Sequence, residues 1–293
     1  MTYDPVYVST YCLFAVDYNA VGIPTVLYAT VEGVPKRLLV KDWMRSKVRH
    51  VANSKYTADR LKEVGINVEK VIPHGLNLEE FANIENTAKQ FNRKYKERLG
   101  AEVVFGTVST NHPRKNLETL VEVIRNVSET LEDAGFVVVT TEDGAQLFSD
   151  LDNCIVYSKF GKMKRREVLS MIGGFDFLIH PALCEGFGLP VLEAQALGVV
   201  PIHGDYAPLT EITMPEASFR VPIEKVELNP FFDGIMYTLH HFKPEDMVEK
   251  VKEAYELYTC NKEGYENMRS IAKSNALQYD ANKLYTEFAN LLT

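Results

Sequence analysis

The chain has a single tryptophan and only four cysteines, Cys12, Cys154, Cys184 and Cys260, none of them in a C-x-x-C pair. Cysteines so far apart argue against a zinc site or a disulfide frame and read as free thiols in a reducing compartment. No run of about 18 apolar residues occurs, so no segment is expected to span a membrane. A basic leader stretch, internal repeats and low-complexity tracts are missing too, and no Asp-x-Asp pair closes a predicted strand to hold a divalent metal. These absences point to a soluble, cytoplasmic protein with no metal. Basic residues are in deficit: 32 Lys and Arg against 40 Asp and Glu leave a net charge of −8. That balance argues against a general nucleic-acid binder. What remains is a globular composition, 46% hydrophobic and 25% charged, in 293 residues, long enough for two domains.

The hydrophobic pattern alternates between short apolar runs and amphipathic stretches. Strands are expected at residues 6–13, 25–30, 48–52 and 68–72, with Gly33 and Pro35 breaking the chain after the second. Residues 36–47 suit an amphipathic helix with Leu39/Trp43 and Val40/Met44 in register, and 55–64 a helix stopped by Gly65. The polar stretch 82–100 reads as a linker helix over a hinge. A second unit follows, with strands at 103–109, 136–141, 154–157, 175–179 and 199–205. Helices are expected at 117–134 and 244–259, and a last one at 280–292 carries Leu284, Phe288 and Leu291 on one face. Strands alternating with helices of this length imply parallel α/β sheets.

The chain is organised around Cys184-Glu185-Gly186-Phe187-Gly188-Leu189-Pro190-Val191-Leu192-Glu193-Ala194. It reads as the end of a strand, a glycine turn and a helix, with Pro190 in the first turn and Gly198 past the end. Such a turn presents unpaired N–H groups and a positive helix end, which suits phosphate. Glu185 lies at the mouth, and Glu193 inside the first turns, tilted back toward it. A second turn, from Thr110 to Leu117, carries Arg114 and Lys115 between a strand and a helix, where a basic pair can meet a diphosphate.

Glu-Gly-Phe-Gly-Leu-Pro-Val-Leu-Glu-Ala resembles the E-x7-E signature of the retaining glycosyltransferases of family 4, which have the GT-B fold. Residues 51–61 and 71–81 also resemble that family, at the end of its acceptor domain. The resemblance implies two Rossmann-like domains. Residues 1–82 would be a truncated acceptor-side domain, with the helix at 280–293 crossing back to it, and residues 83–279 the donor domain. It implies Glu193 on the ribose hydroxyls, Glu185 on the donor sugar, and Arg114 and Lys115 on the diphosphate, with the backbone of Gly186, Phe187, Gly188 and Leu189 helping. Lys159 and Phe160 fall where the family's loop holds the nucleobase, and the segment from Leu209 to Ile212, with Glu211, falls near the donor. Thr110 replaces an arginine that relatives often carry. Glu32 stands where many relatives have a histidine: it either contacts donor or acceptor, or faces water before a turn. The cluster Lys162, Lys164, Arg165 and Arg166 is expected to be the solvated start of a helix, and His180 and His203 packing residues.

The implied reaction is metal-independent transfer of a sugar from a nucleotide-diphosphate sugar, with retention, to an unidentified acceptor. A non-catalytic sugar-nucleotide-binding protein and a GT-B nucleotide-sugar epimerase are the alternatives. The first domain is expected to be completed by a second copy or a partner. The basic face of 36–47 either packs on its sheet or meets an anionic membrane surface.

Overall fold

Residues 20–35, 48–230 and 235–292 are described by the computed structural model of the chain. The strand expected at 6–13 and the helix at 36–47 lie outside them.

Among the described residues, β1 (Val26–Ala29), β3 (Arg49–Ala52) and β4 (Val68–Val71) form a parallel sheet ordered β1-β3-β4. Helix α1 (Lys55–Glu63) follows β3, because Ser54 caps it by accepting from the backbone of Thr57 at 3.0 Å. Leu61, on its inner face, is buried with Val64 and Ile66.

The larger sheet takes β5 (Val103–Val108), β6 (Ala134–Val139), β7 (Cys154–Tyr157), β8 (Phe177–His180), β9 (Val200–Gly204) and β10 (Phe219–Val221), all parallel. Its order is β10-β9-β8-β5-β6-β7. Val103 to Val108 are buried without a break, as a strand covered on both faces requires. The chain runs outward from β5 to β7, then returns to lay β8 on the other side of β5. That reversal opens a crevice at the carboxyl ends of β5 and β8, where open α/β sheets bind ligands. Helices α2 (Glu85–Leu99), α3 (Leu117–Ser128), α4 (Arg165–Ile172), α5 (Leu189–Ala196), α6 (Pro244–Cys260) and α7 (Lys262–Ala276) complete this half.

Several expectations change. Gly33 and Pro35 do not simply break the chain: Gly33–Pro35 is a strand, β2. It pairs antiparallel with β12 (Ile235–His241), which pairs with β11 (Lys225–Pro230), so a third sheet joins segments about 200 residues apart in sequence. Proline is tolerated there because β2 is an edge strand of that sheet. The helix expected to reach residue 134 ends at Ser128, since β6 pairs from Ala134 against Val103. Helix α2 is no bare polar linker: Tyr95 is fully buried, stacked 6.1 Å from Phe175. The last helix is split into Ala281–Leu284 and α8 (Thr286–Leu292). Phe288 on α8 packs with Val51 and Ile72 of the first sheet and stands edge-on to Tyr28 at 5.0 Å. Helix α7 was not anticipated. Among the described residues no helix is long and apolar enough to cross a membrane.

Candidate active site

The turn after β5 brings Arg114 and Lys115 into a short 3-10 segment (Pro113–Lys115), ended by Asn116 in the left-handed region. The carbonyl of Arg114 accepts from the Leu183 backbone at 2.8 Å, which fixes this turn against the loop after β8. Glu185, on that loop, is 6% exposed. Lys115 donates to its Oε1, His180 Nε2 stands 2.9 Å from the same oxygen, and Arg114 lies 3.5 Å from Oε2. Arg114 also reaches Glu32 Oε1 at 3.4 Å and the carbonyl of Cys184 at 3.3 Å. Glu32 arrives from the other side of the crevice, between β1 and β2, and is 4% exposed, so it does not face water.

The two carboxylates titrate in opposite directions. Burial would push the Glu185 carboxyl up, but Lys115, His180 and Arg114 together hold it well below the usual carboxylate range. For Glu32 burial prevails: its carboxyl is pushed up, against Arg114, with the charge of Glu185 adding to the rise. Two cations therefore face two carboxyl groups in one buried cluster.

Glu193, on the first turns of α5, is 7% exposed and accepts from Arg165 at 2.6 Å. Burial raises its carboxyl, and Arg165 opposes the rise. Arg165 also touches Glu80 at 3.2 Å, and Arg166 donates to the carbonyl of Asn83 at 3.3 Å. The four cations at the start of α4 are exposed, as expected of a solvated helix start, and Arg165 reaches the buried Glu193 from there. His180 likewise proves to be a partner of Glu185 as well as a packed residue.

The glycines of the central turn answer to packing. Gly188 has φ +99°, and a Cβ there would stand 2.5 Å from Leu209. A Cβ on Gly186 would press on Thr30 Oγ1 at 3.0 Å. Asn53 donates to the Gly186 carbonyl at 3.0 Å and also to Thr30, tying this loop to the first sheet. Phe187 is buried, edge-on to His74 at 4.9 Å. Leu189 opens α5 and is partly buried in the core.

Thr110 holds the Arg114 turn together: its carbonyl accepts from Ser109 Oγ and from the His112 backbone, each at 3.1 Å. Lys159 is exposed at the carboxyl end of β7, and the Phe160 backbone donates to Thr140 at 3.0 Å. These three share the sheet edge with the acidic clusters without entering them. His203 is fully buried, bonded to the Gly204 carbonyl and Thr213. Glu211 is spent on structure: its carboxylate accepts from the backbones of Lys55 and Tyr56, both at 2.8 Å, at the start of α1.

Residues 88–273 match the family Glycosyl transferases group 1. The chain belongs to that family. It is 29% identical over 268 residues to "Uncharacterized glycosyltransferase 335" of Sulfolobus islandicus rod-shaped virus 1, covering 89% of this chain and 78% of that protein. Among solved structures it is similar to HepE from Anabaena in complex with UDP and glucose, with a TM-score of 0.73 at 12% identity. That match covers 97% of this chain and 76% of HepE. Sucrose-phosphate synthase from Thermosynechococcus elongatus gives a TM-score of 0.67 at 15% identity, over 87% of this chain and 60% of the synthase. These likenesses show the fold, which is GT-B.

Proposed function

We propose that this glycosyltransferase takes its sugar from a nucleotide-diphosphate donor and transfers it to an acceptor hydroxyl with retention of configuration, without a metal, as in family 4. The observation that carries the reading is the pair Glu185 and Glu193 flanking the N-terminus of α5, with Arg114 and Lys115 beside the first. HepE, of the same fold, binds UDP and UDP-glucose, which supports a donor of that kind.

Glu193 would hold the ribose hydroxyls and Glu185 the donor sugar. As the glycosidic bond breaks, charge grows on the leaving diphosphate. Arg114, Lys115 and the start of α5 would stabilise it where it develops. Both cations already hold carboxylates, so the diphosphate would have to exchange partners with them. The backbone near Lys159 and Phe160 would hold the base. Contact of residues 36–47 with an anionic membrane surface, and completion of the N-terminal sheet by a second copy, stay proposals from the sequence.

A thermal-shift screen across nucleotide sugars tests the reading: a true donor at 100 times its Kd adds about 2.7 kcal/mol of stability. A charged acceptor in a buried hydrogen bond is worth about 1.5–3 kcal/mol. Calorimetry should therefore show at least about tenfold weaker nucleotide binding by Glu193→Ala. Equal affinity in the variant would remove the ribose assignment.

A further inference from the structure

Glu32 carries an unusual deficit. It is buried, its Oε1 lies 3.4 Å from Arg114, and its Oε2 has no hydrogen-bond partner among the described residues. A buried carboxylate oxygen left unbonded is costly unless a proton or a ligand hydroxyl meets it. The residue is held on both sides: Asn53 and Thr30 lock the preceding backbone to the Gly186 loop, and the Glu32 carbonyl accepts from the Thr238 backbone at 3.2 Å. The groups facing it are Arg114, Lys115, Glu185, Cys184 and Tyr56. Arg114 is the nearest cation, and it is the one the donor's diphosphate would claim.

Resting on the donor reading above, we infer that Glu32 is the acceptor-side base, set free for that role when the donor's diphosphate takes Arg114. The balance is simple. The acceptor O–H bond breaks and its proton passes to Glu32 Oε2. The acceptor oxygen bonds the anomeric carbon, and the bond from that carbon to the phosphate oxygen breaks, its electron pair leaving with the nucleoside diphosphate. Glu32 touches the guanidinium that would bind the diphosphate, so the hydroxyl it holds lies on the leaving-group side of the sugar. Attack from that side retains configuration.

Burial already pushes the Glu32 carboxyl up, and losing Arg114 pushes it further, toward the range where a carboxylate works as a base near neutral pH. Donor binding should then draw a fraction of a proton from solvent, which calorimetry reads by titrating in buffers of different ionisation enthalpy. The probe is the nucleotide sugar with the largest shift in the screen. Wild-type protein is expected to take up proton on binding it. Glu32→Gln should take up none and bind it equally or more tightly, because its Arg114 then has one rival anion fewer, Glu185 alone remaining. Release of free sugar, with water as acceptor, should fall about 100-fold in that variant. Glu32→Asp, which keeps the charge but draws it back by one methylene, should retain the uptake and lose the turnover, and it serves if the Gln variant fails to fold. Donor binding weakened about tenfold in Glu32→Gln would place the residue on the donor sugar and overturn the inference. So would proton uptake unchanged from wild type. If wild-type protein binds no nucleotide sugar, the donor reading falls first and this inference with it.

Discussion

At one end of the glycine turn Glu185 is 6% exposed and meets Lys115, Arg114 and His180; at the other Glu193 is 7% exposed and meets Arg165. Burial is almost equal, so desolvation alone would push both carboxyls up by similar amounts. They part because of their cations. The side chains of Lys115 and Arg114 are 13% and 17% exposed, whereas Arg165 is 46% exposed and shared with Glu80. Charges facing each other out of water attract strongly, and a guanidinium half in solvent attracts weakly. Glu185 is therefore held firmly as an anion by its buried cations. Glu193 is held by a weaker pair whose guanidinium is half in solvent.

The largest effect that sharpens this contrast is expected from Glu185→Gln. Removing one partner of a buried charge cluster costs about 3–5 kcal/mol, because the cations stay buried. Denaturant unfolding at pH 7 should show that loss, and turnover should fall with it. The pH dependence follows from the depressed carboxyl. In the folded state Glu185 releases its proton more readily than in the unfolded chain. Its contribution is complete above the ordinary carboxylate range and is lost as pH falls through that range toward its own lower value. The gap between wild type and variant should shrink as the solution is acidified. A gap that holds constant into acid would mean that Glu185 is not locked as an anion.

Arg165→Met probes the other end with a smaller effect. Its ion pair, half in solvent, is worth about 1 kcal/mol, so nucleotide affinity should drop about fivefold. Without Arg165 the buried Glu193 carboxyl rises further and takes a proton more readily, which makes it a poorer acceptor for hydroxyls. The affinity deficit should widen from pH 8 to pH 6. A deficit that narrows over that range would show Arg165 competing with the ligand instead of keeping its carboxylate charged.

The contrast was only half legible in the sequence. Strand, turn and helix around residues 184–194 follow from apolar runs, glycines and helix formers, all of them local signals, and so did the basic turn at Arg114. What local patterns do not carry is pairing between distant segments. β2 was hidden because Gly33 and Pro35 punctuate locally, and only pairing with Ile235, Met236 and Tyr237 makes them a strand. His180 looked like one more buried histidine, since its partner is set by how the loop after β8 folds back. Arg165 is exposed as its sequence suggests, but its partners Glu193 and Glu80 lie far off in sequence and no local pattern names them. Gly186 and Gly188 were recognised as necessary, but their reason is contact with Thr30 and Leu209 as much as room for a ligand.

Glu211 gives the smallest and most discriminating test, since the sequence set it near the donor whereas its carboxylate caps α1. The first N–H groups of a helix have no partner within it. In α1 Thr57 is satisfied by Ser54, and Lys55 and Tyr56 by the two oxygens of Glu211, each at 2.8 Å. The carboxylate also meets the positive end of the helix dipole. It comes from the segment after β9 and so ties the larger half of the molecule to the helix behind the first sheet. Replacing it with alanine should cost about 1 kcal/mol, the usual worth of a helix cap, and leave nucleotide affinity within about twofold. Unfolding in denaturant and calorimetry with the same nucleotide read the two quantities separately. A variant with full stability and weakened binding would return Glu211 to the donor and reverse this assignment. The expected pattern, stability lost with binding kept, would divide the acidic residues around the crevice into those that hold the protein together and those left for the substrate.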